Sequence, residues 1–173
     1  MKPAVIGITQ QLAAQLLRYP TQALDRQLGH IKEIAALLAS DVGTPLSALA
    51  GHLQAAGPDA AAEEYASAFL RDGGVSLCLS YPDDITFTLA YQRAGFRMAD
   101  NERCDFLPTV LEFAAARVAA EDFGGQELLC GYRPALDALG AALAERGSPY
   151  LQAVEAVGAT LPQLHPASLG FRP

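Results

Sequence analysis

The sequence has little of what usually announces chemistry. Only three of its 173 residues are cysteines, Cys78, Cys104 and Cys130, and they form no C-x-x-C pair and no Cys/His cluster. Neither a zinc site nor a redox dithiol is suggested, and so sparse and odd a count fits reduced thiols in a cytoplasmic setting. The three histidines, His30, His52 and His165, lie far apart. His30 and Glu33 share a helix face, but a di-iron bundle needs two Glu-x-x-His pairs and two further glutamates. Basic residues are scarce: 12 Lys and Arg face 19 Asp and Glu, a net charge of -7. A surface that grips phosphates needs a basic patch, so nucleic acid is not an expected partner. Long apolar runs are missing too. No stretch reaches the roughly 20 apolar residues of a membrane span. Thr9, Gln10 and Gln11 interrupt the opening segment, which does not read as a signal peptide. The pairs Gly73-Gly74 and Gly124-Gly125 lack the lysine and flanking strand of a phosphate loop and read as turns. No nucleophile, acid and base set can be named, though an all-α fold does not exclude an enzyme, and no metal or cofactor is expected.

What is present is a core. Hydrophobic residues make up 51% of the chain and charged residues 18%. That suits one packed domain over residues 1–173, with the proline-rich tail 163–173 as a mobile end. The dominant period is helical. Leu24, Leu28, Ile31, Ala35 and Leu38 fall on one stripe. Thr44 is placed to cap a helix with Pro45 at its first position, and Leu46, Leu49 and Leu53 share its face until Gly57-Pro58. Ala62, Tyr65, Ala66 and Phe69 align in the next segment. "VSLCLSY" alternates like a strand, but a lone strand leaves its edges unpaired, so an extended connector or helical turn is expected. Phe87, Tyr91 and Ala94 mark a further helix. Leu129, Tyr132, Leu136, Leu139 and Leu143 hold one stripe through Pro134, which predicts a single kinked helix. Gly147, Ser148 and Pro149 read as stop, N-cap and first position of a last helix carrying Tyr150, Val154, Val157 and Leu161. The predicted fold is all-α, a bundle of about seven or eight helices.

One stretch, "CDFLPTVLEFAAAR" (residues 104–117), has a proline near its start and a lone glutamate in its middle. With Asp105 as N-cap, its carboxylate would take a free backbone N–H at the positive end of the dipole. Pro108 then sits in the first turn, where its missing N–H costs nothing. Phe106, Leu107, Val110, Leu111, Phe113, Ala114 and Val118 share a broad apolar arc, with Leu107 and Phe113 in the core. Asp105, Pro108 and Glu112 fall on the other side, beside the small residues Ala115 and Ala116. That narrow acidic front is either solvated or the floor of a groove for a basic, apolar peptide.

The segment Asp105, Phe106, Leu107, Pro108, Leu111, Glu112, Phe113 resembles the signature of the delta-subunit family of respiratory nitrate reductases. These are the NarJ-type assembly chaperones, relatives of the TorD-type chaperones for other molybdenum enzymes. Further matches follow in order: "LLRYP" (16–20), "EEYASAFLRDGGVSLCLSY" (63–81), "YQRAGF" (91–96) and "ERGSPY" (145–150). Two features depart from the pattern. "PDDITFTLA" stands where the family has a basic Gly-Asp-x-Arg-x-Arg-Gly, and Cys104 replaces a proline.

The resemblance implies a cytoplasmic chaperone without catalysis or stable membrane attachment. Its partner would be the N-terminal peptide of a molybdoenzyme catalytic subunit, held while the molybdenum cofactor is inserted. Asp105, Pro108 and Glu112 would contact that peptide, with Tyr65 and Phe69 supplying apolar walls. A nitrate reductase is the first expected client and another molybdenum oxidoreductase the second. A small all-α enzyme or regulator is the third reading. The oligomeric state, monomer or dimer, stays open.

Overall fold

Helix α1 (Pro3–Leu16) begins at a proline whose absent N–H falls in the first turn, where no partner is available anyway. The computed structural model describes residues 1–81, 85–99 and 101–162. The expected mobile tail and the acidic Pro82–Asp84 stretch lie outside the described residues. After α1 come α2 (Gln22–Ala36), α3 (Ser40–Ala56) and α4 (Pro58–Tyr65). The α4 ladder widens into a π turn (Ala66–Leu70) before the chain extends. Then follow α5 (Thr86–Ala94), α6 (Leu107–Ala119), α7 (Gly124–Gly131), α8 (Arg133–Glu145) and α9 (Leu151–Thr160). The all-α expectation holds, and nine α-helices among the described residues stand close to the predicted number.

α1 occupies the middle of the bundle. It packs on α6 and α9 and touches α2 and α3, while α2 pairs with α3, α6 with α7, and α8 with α9. Leu12, Ala13, Ala14 and Leu16 of α1 are buried against Leu107, Val110, Leu111 and Ala114 of α6 and Ala153, Ala156 and Val157 of α9, within one core. The stripe Leu24, Leu28, Ile31, Ala35 is buried as its period requires, and Leu46, Leu49 and Leu53 face it from α3. Thr21 caps α2, its hydroxyl accepting from the Leu24 N–H at 3.3 Å.

Four local expectations need correction. Thr44 does not cap α3, which starts four residues earlier at Ser40 with Ala39 before it. Pro45 therefore lies inside the helix and removes one ladder hydrogen bond without ending it. The early start brings α2 and α3 so close that a Cβ at Gly43 would lie 2.3 Å from the Ala35 carbonyl. The stripe through Pro134 is two helices, broken at Tyr132 (φ -101°, ψ 17°). The ring of Pro134 conflicts with the carbonyl four residues back, so the ladder stops while the apolar register continues. Ser148 does not cap α9 either: its hydroxyl has no partner, and i→i−3 bonds such as Leu151 N–H to Ser148 O (3.2 Å) form the first turn. Finally, Gly124-Gly125 opens α7 instead of forming a turn. A Cβ at Gly125 would lie 2.5 Å from the Ala114 Cα, which fixes the α6–α7 approach.

Candidate functional site

α6 is where the singled-out sequence segments converge. The stretch after Gly74 is extended, as one of the two readings of "VSLCLSY" has it, and it makes one antiparallel bridge, Cys78 with Phe106. The Leu107 N–H donates to Leu77 O at 2.8 Å, and the Leu79 N–H donates to Asp105 O at 3.0 Å. This bridge anchors the start of α6 and decides where Asp105 points. Asp105 is 2% exposed. It is not the N-cap; Phe106 holds that place, without a side-chain cap. The Asp105 carboxylate accepts instead from the Ser80 N–H and Ser80 Oγ, both at 3.1 Å, and from Arg103 Nε (2.9 Å) and Nη2 (2.7 Å). Burial alone would raise its pKa, but the Arg103 and Ser80 hydrogen bonds outweigh burial and hold it below its ordinary value.

Glu112, about two turns further on, is half-buried and engaged by Arg18 of the "LLRYP" segment. Arg18 Nε donates to Glu112 Oε1 at 3.0 Å and Nη2 to Oε2 at 3.1 Å, a two-point fork. Its Nη1 donates to Glu102 Oε1 at 2.5 Å, and Thr109 Oγ1 donates to Glu102 Oε2 at 2.5 Å. The guanidinium also lies over the Phe106 ring, 5.9 Å from its centroid. Glu102 is held below the usual carboxyl range, first by the Arg18 hydrogen bond. Arg18 is raised, with the Glu102 hydrogen bond its largest cause. So the acidic front predicted for α6 is an internal network. Pro108 is buried in the first turn of α6.

The predicted wall residues sit in a second cluster. Tyr65 is 4% exposed and packs edge-on against Tyr19 (centroids 5.5 Å) and Tyr150 (5.6 Å), with Phe69 at 4.8 Å. Its hydroxyl donates to Leu17 O at 3.1 Å, and burial pushes its pKa up to about 12. Tyr65 and Asp105 are thus closed to a docking peptide in this conformation, Phe69 is half-buried among rings, and only part of Glu112 reaches the surface. Tyr91 forms a third cluster with Phe96 and Phe113, its hydroxyl donating to Cys104 O at 2.7 Å. Arg18, Ser80, Glu102, Arg103 and Thr109 were not singled out from sequence. The available signal was Arg18, a charge inside the apolar "LLRYP" run.

Open space lies elsewhere on α6. Ala115, Ala116, Val118 and Ala119 form one wall of an almost wholly apolar furrow, about 440 Å³, whose other wall is Pro3, Ala4, Gly7, Ile8 and Gln11 of α1. Ile8 and Gln11 also border a second hollow of about 330 Å³, reaching Ile31 and Ile34 of α2. The two form a path over the outside of α1, with Ile8 40% exposed at its crest. Burial raises the Cys78 and Cys130 thiols, and no three His, Cys, Asp or Glu side chains come together as metal ligands among the described residues.

The fold is the all-α bundle that the helical period predicts, and the signature segment opens α6. The sequence profile described as "Nitrate reductase delta subunit" matches residues 35–156. The chain belongs to that family. Over 160 residues it is 33% identical to "Nitrate reductase-like protein NarX" of Mycobacterium tuberculosis, in each of two strains. The match covers 87% of this chain and 24% of the relative, so the chain spans about a quarter of the curated relatives it matches.

Proposed function

We propose that the chain acts as a cytoplasmic assembly chaperone that binds the N-terminal segment of a nitrate reductase catalytic subunit. It would hold that segment while the molybdenum cofactor is inserted, before the complex attaches to the membrane. Membership of the delta-subunit family carries this reading. Three features support it. Among the described residues no helix is long and apolar enough to cross a membrane. The charged side chains around α6 are engaged with one another in hydrogen-bonded networks. The furrow between α1 and α6 offers an amphipathic peptide an apolar bed with small side chains at its walls. In this reading Asp105, Pro108, Glu112, Tyr65 and Phe69 hold the frame that shapes the furrow, and the peptide lies along Ala116, Ala119 and Ile8. Burying the peptide's apolar face contributes roughly 25 cal/mol per Å² before ordering costs.

The test is calorimetric titration with a synthetic N-terminal peptide of the host's nitrate reductase catalytic subunit. The corresponding peptide of another molybdenum oxidoreductase serves as comparison. Micromolar binding of the first alone is the expected result. Binding of the second alone would assign the other client, and binding of neither would remove the chaperone reading. Ala116 is exposed, so Ala116→Glu should leave the melting temperature unchanged and weaken binding at least tenfold, about 1.4 kcal/mol. Unchanged affinity in that variant would move the peptide off the furrow.

A further inference from the structure

The last described helix ends on the helices that build the α1–α6 furrow. At the end of α9 the Thr160 carbonyl accepts from Gln126 Nε2 at 2.7 Å, and Gln126 Oε1 accepts from Gln10 Nε2 of α1 at 2.5 Å. Gln10, Gln126 and Thr160 are all buried, so this amide relay fixes where the chain leaves the bundle. Both furrow walls begin close by. Gln10 adjoins Gln11 and stands one turn from Gly7, and both of these line the furrow. Gln126 follows Gly125, whose backbone meets Ala114, and the next residue, Ala115, starts the opposite wall.

Beyond Pro162 the sequence continues as "QLHPASLGFRP", residues 163–173. Its make-up suits the furrow. Leu164, Leu169 and Phe171 are apolar and Arg172 is basic, with no acidic residue among them in a chain of net charge -7. Pro166 disfavours a continuous helix, and eleven residues in extended form reach at most about 36–40 Å. α1, with its 14 residues, is about 21 Å long. The segment is therefore long enough to pass from Thr160 to any point of the furrow. The furrow has exposed apolar groups for it to cover, in Ile8, Ala116 and Ala119.

We propose that the α1–α6 furrow receives the chain's own segment 163–173, with Leu169 and Phe171 seated against Ile8, Ala116 and Ala119. Tethering favours this occupant over a free one. A short linker holds its segment at an effective concentration of about a millimolar, so even a weak apolar contact fills the site for much of the time. The occupancy rests on the furrow's geometry alone. That a client has to displace the segment rests also on the chaperone reading.

The chain contains no tryptophan, so Phe171→Trp places a single tryptophan reporter in the full chain. Its emission should be blue-shifted, and shielded from acrylamide, relative to the isolated 163–173 peptide carrying the same change. Ala116→Glu in that background should return the emission to that of the free peptide. Ala119→Glu, at a second exposed position, repeats the test if the first variant folds poorly. Ala55→Glu, at an exposed position outside the furrow lining, should change nothing. A solvent-like emission in the full chain would overturn the proposal, and so would a blue shift that survives both furrow variants. A blue shift lost on dilution would assign the furrow to the segment of a second copy and overturn it as well. No client peptide enters this experiment, so its failure leaves the client titration untouched.

Discussion

Arg18 shows how much one side chain holds at the residue scale. It joins the turn after α1 to Glu102 and to Glu112 on α6, so three segments distant in sequence meet on one guanidinium. Replacing it by alanine leaves two carboxylates facing each other with no cation between them. Arg18→Ala should lower unfolding free energy by about 1–3 kcal/mol in a denaturant titration. Glu112→Ala should also lower stability, by about 1–2 kcal/mol, because it strands half of the Arg18 fork. A melting temperature unchanged in both variants would show the network to be solvated in solution. The same carboxylates set an acid limit. Glu102 and Asp105 have folded pKa values below their ordinary 4.5 and 3.8, so each stabilises the fold fully at neutral pH. That stabilisation declines as pH drops below the ordinary values and is gone below the depressed folded ones. Chemical denaturation between pH 7 and pH 3 should therefore show falling stability, with a smaller drop in Glu102→Gln.

The element scale belongs to backbone approach and breaks. Gly125 lets α7 lie against α6, since its missing Cβ leaves room for the Ala114 Cα. Gly125→Ala should destabilise by about 1–3 kcal/mol through overpacking, read as an earlier denaturant midpoint with an unchanged slope. Gly131 meets nothing within 4 Å of an added Cβ, so Gly131→Ala should be close to neutral and serves as the control. The α7–α8 break belongs here too. Leu129, Leu136, Leu139 and Leu143 are all buried, so the apolar period crosses the break unchanged. Periodicity reports which face is buried and is blind to a ladder interrupted for one residue.

At the scale of the whole molecule the described residues form a bundle wrapped around α1, with one buried core and two apolar hollows on the outside of α1. Because the furrow is apolar, client binding should depend weakly on salt, changing less than about twofold between low and high ionic strength. It should also show a negative heat-capacity change when calorimetry is repeated across temperatures. A strong salt dependence would instead assign the affinity to charged contacts and move the client off the furrow.

The helical class, the buried stripes of α2 and α3 and the family signature around α6 were all legible in the sequence, because period and short motifs are local properties. Pro108 in the first turn of α6 followed from its fixed φ alone. The direction of a polar side chain is not local. Asp105 looked like a helix cap, yet the Cys78–Phe106 bridge sets it against Ser80 and Arg103. Glu112 is taken up by Arg18 from the far end of α1, and Tyr65 lies among the rings of Tyr19, Phe69 and Tyr150. A helical wheel records which residues share a face and says nothing of which distant segment covers that face. Only the tertiary packing decided that Arg18 at the end of α1 takes up Glu112, that the extended segment after Gly74 turns Asp105 inward, and that Ala116 and Ala119 line an apolar furrow.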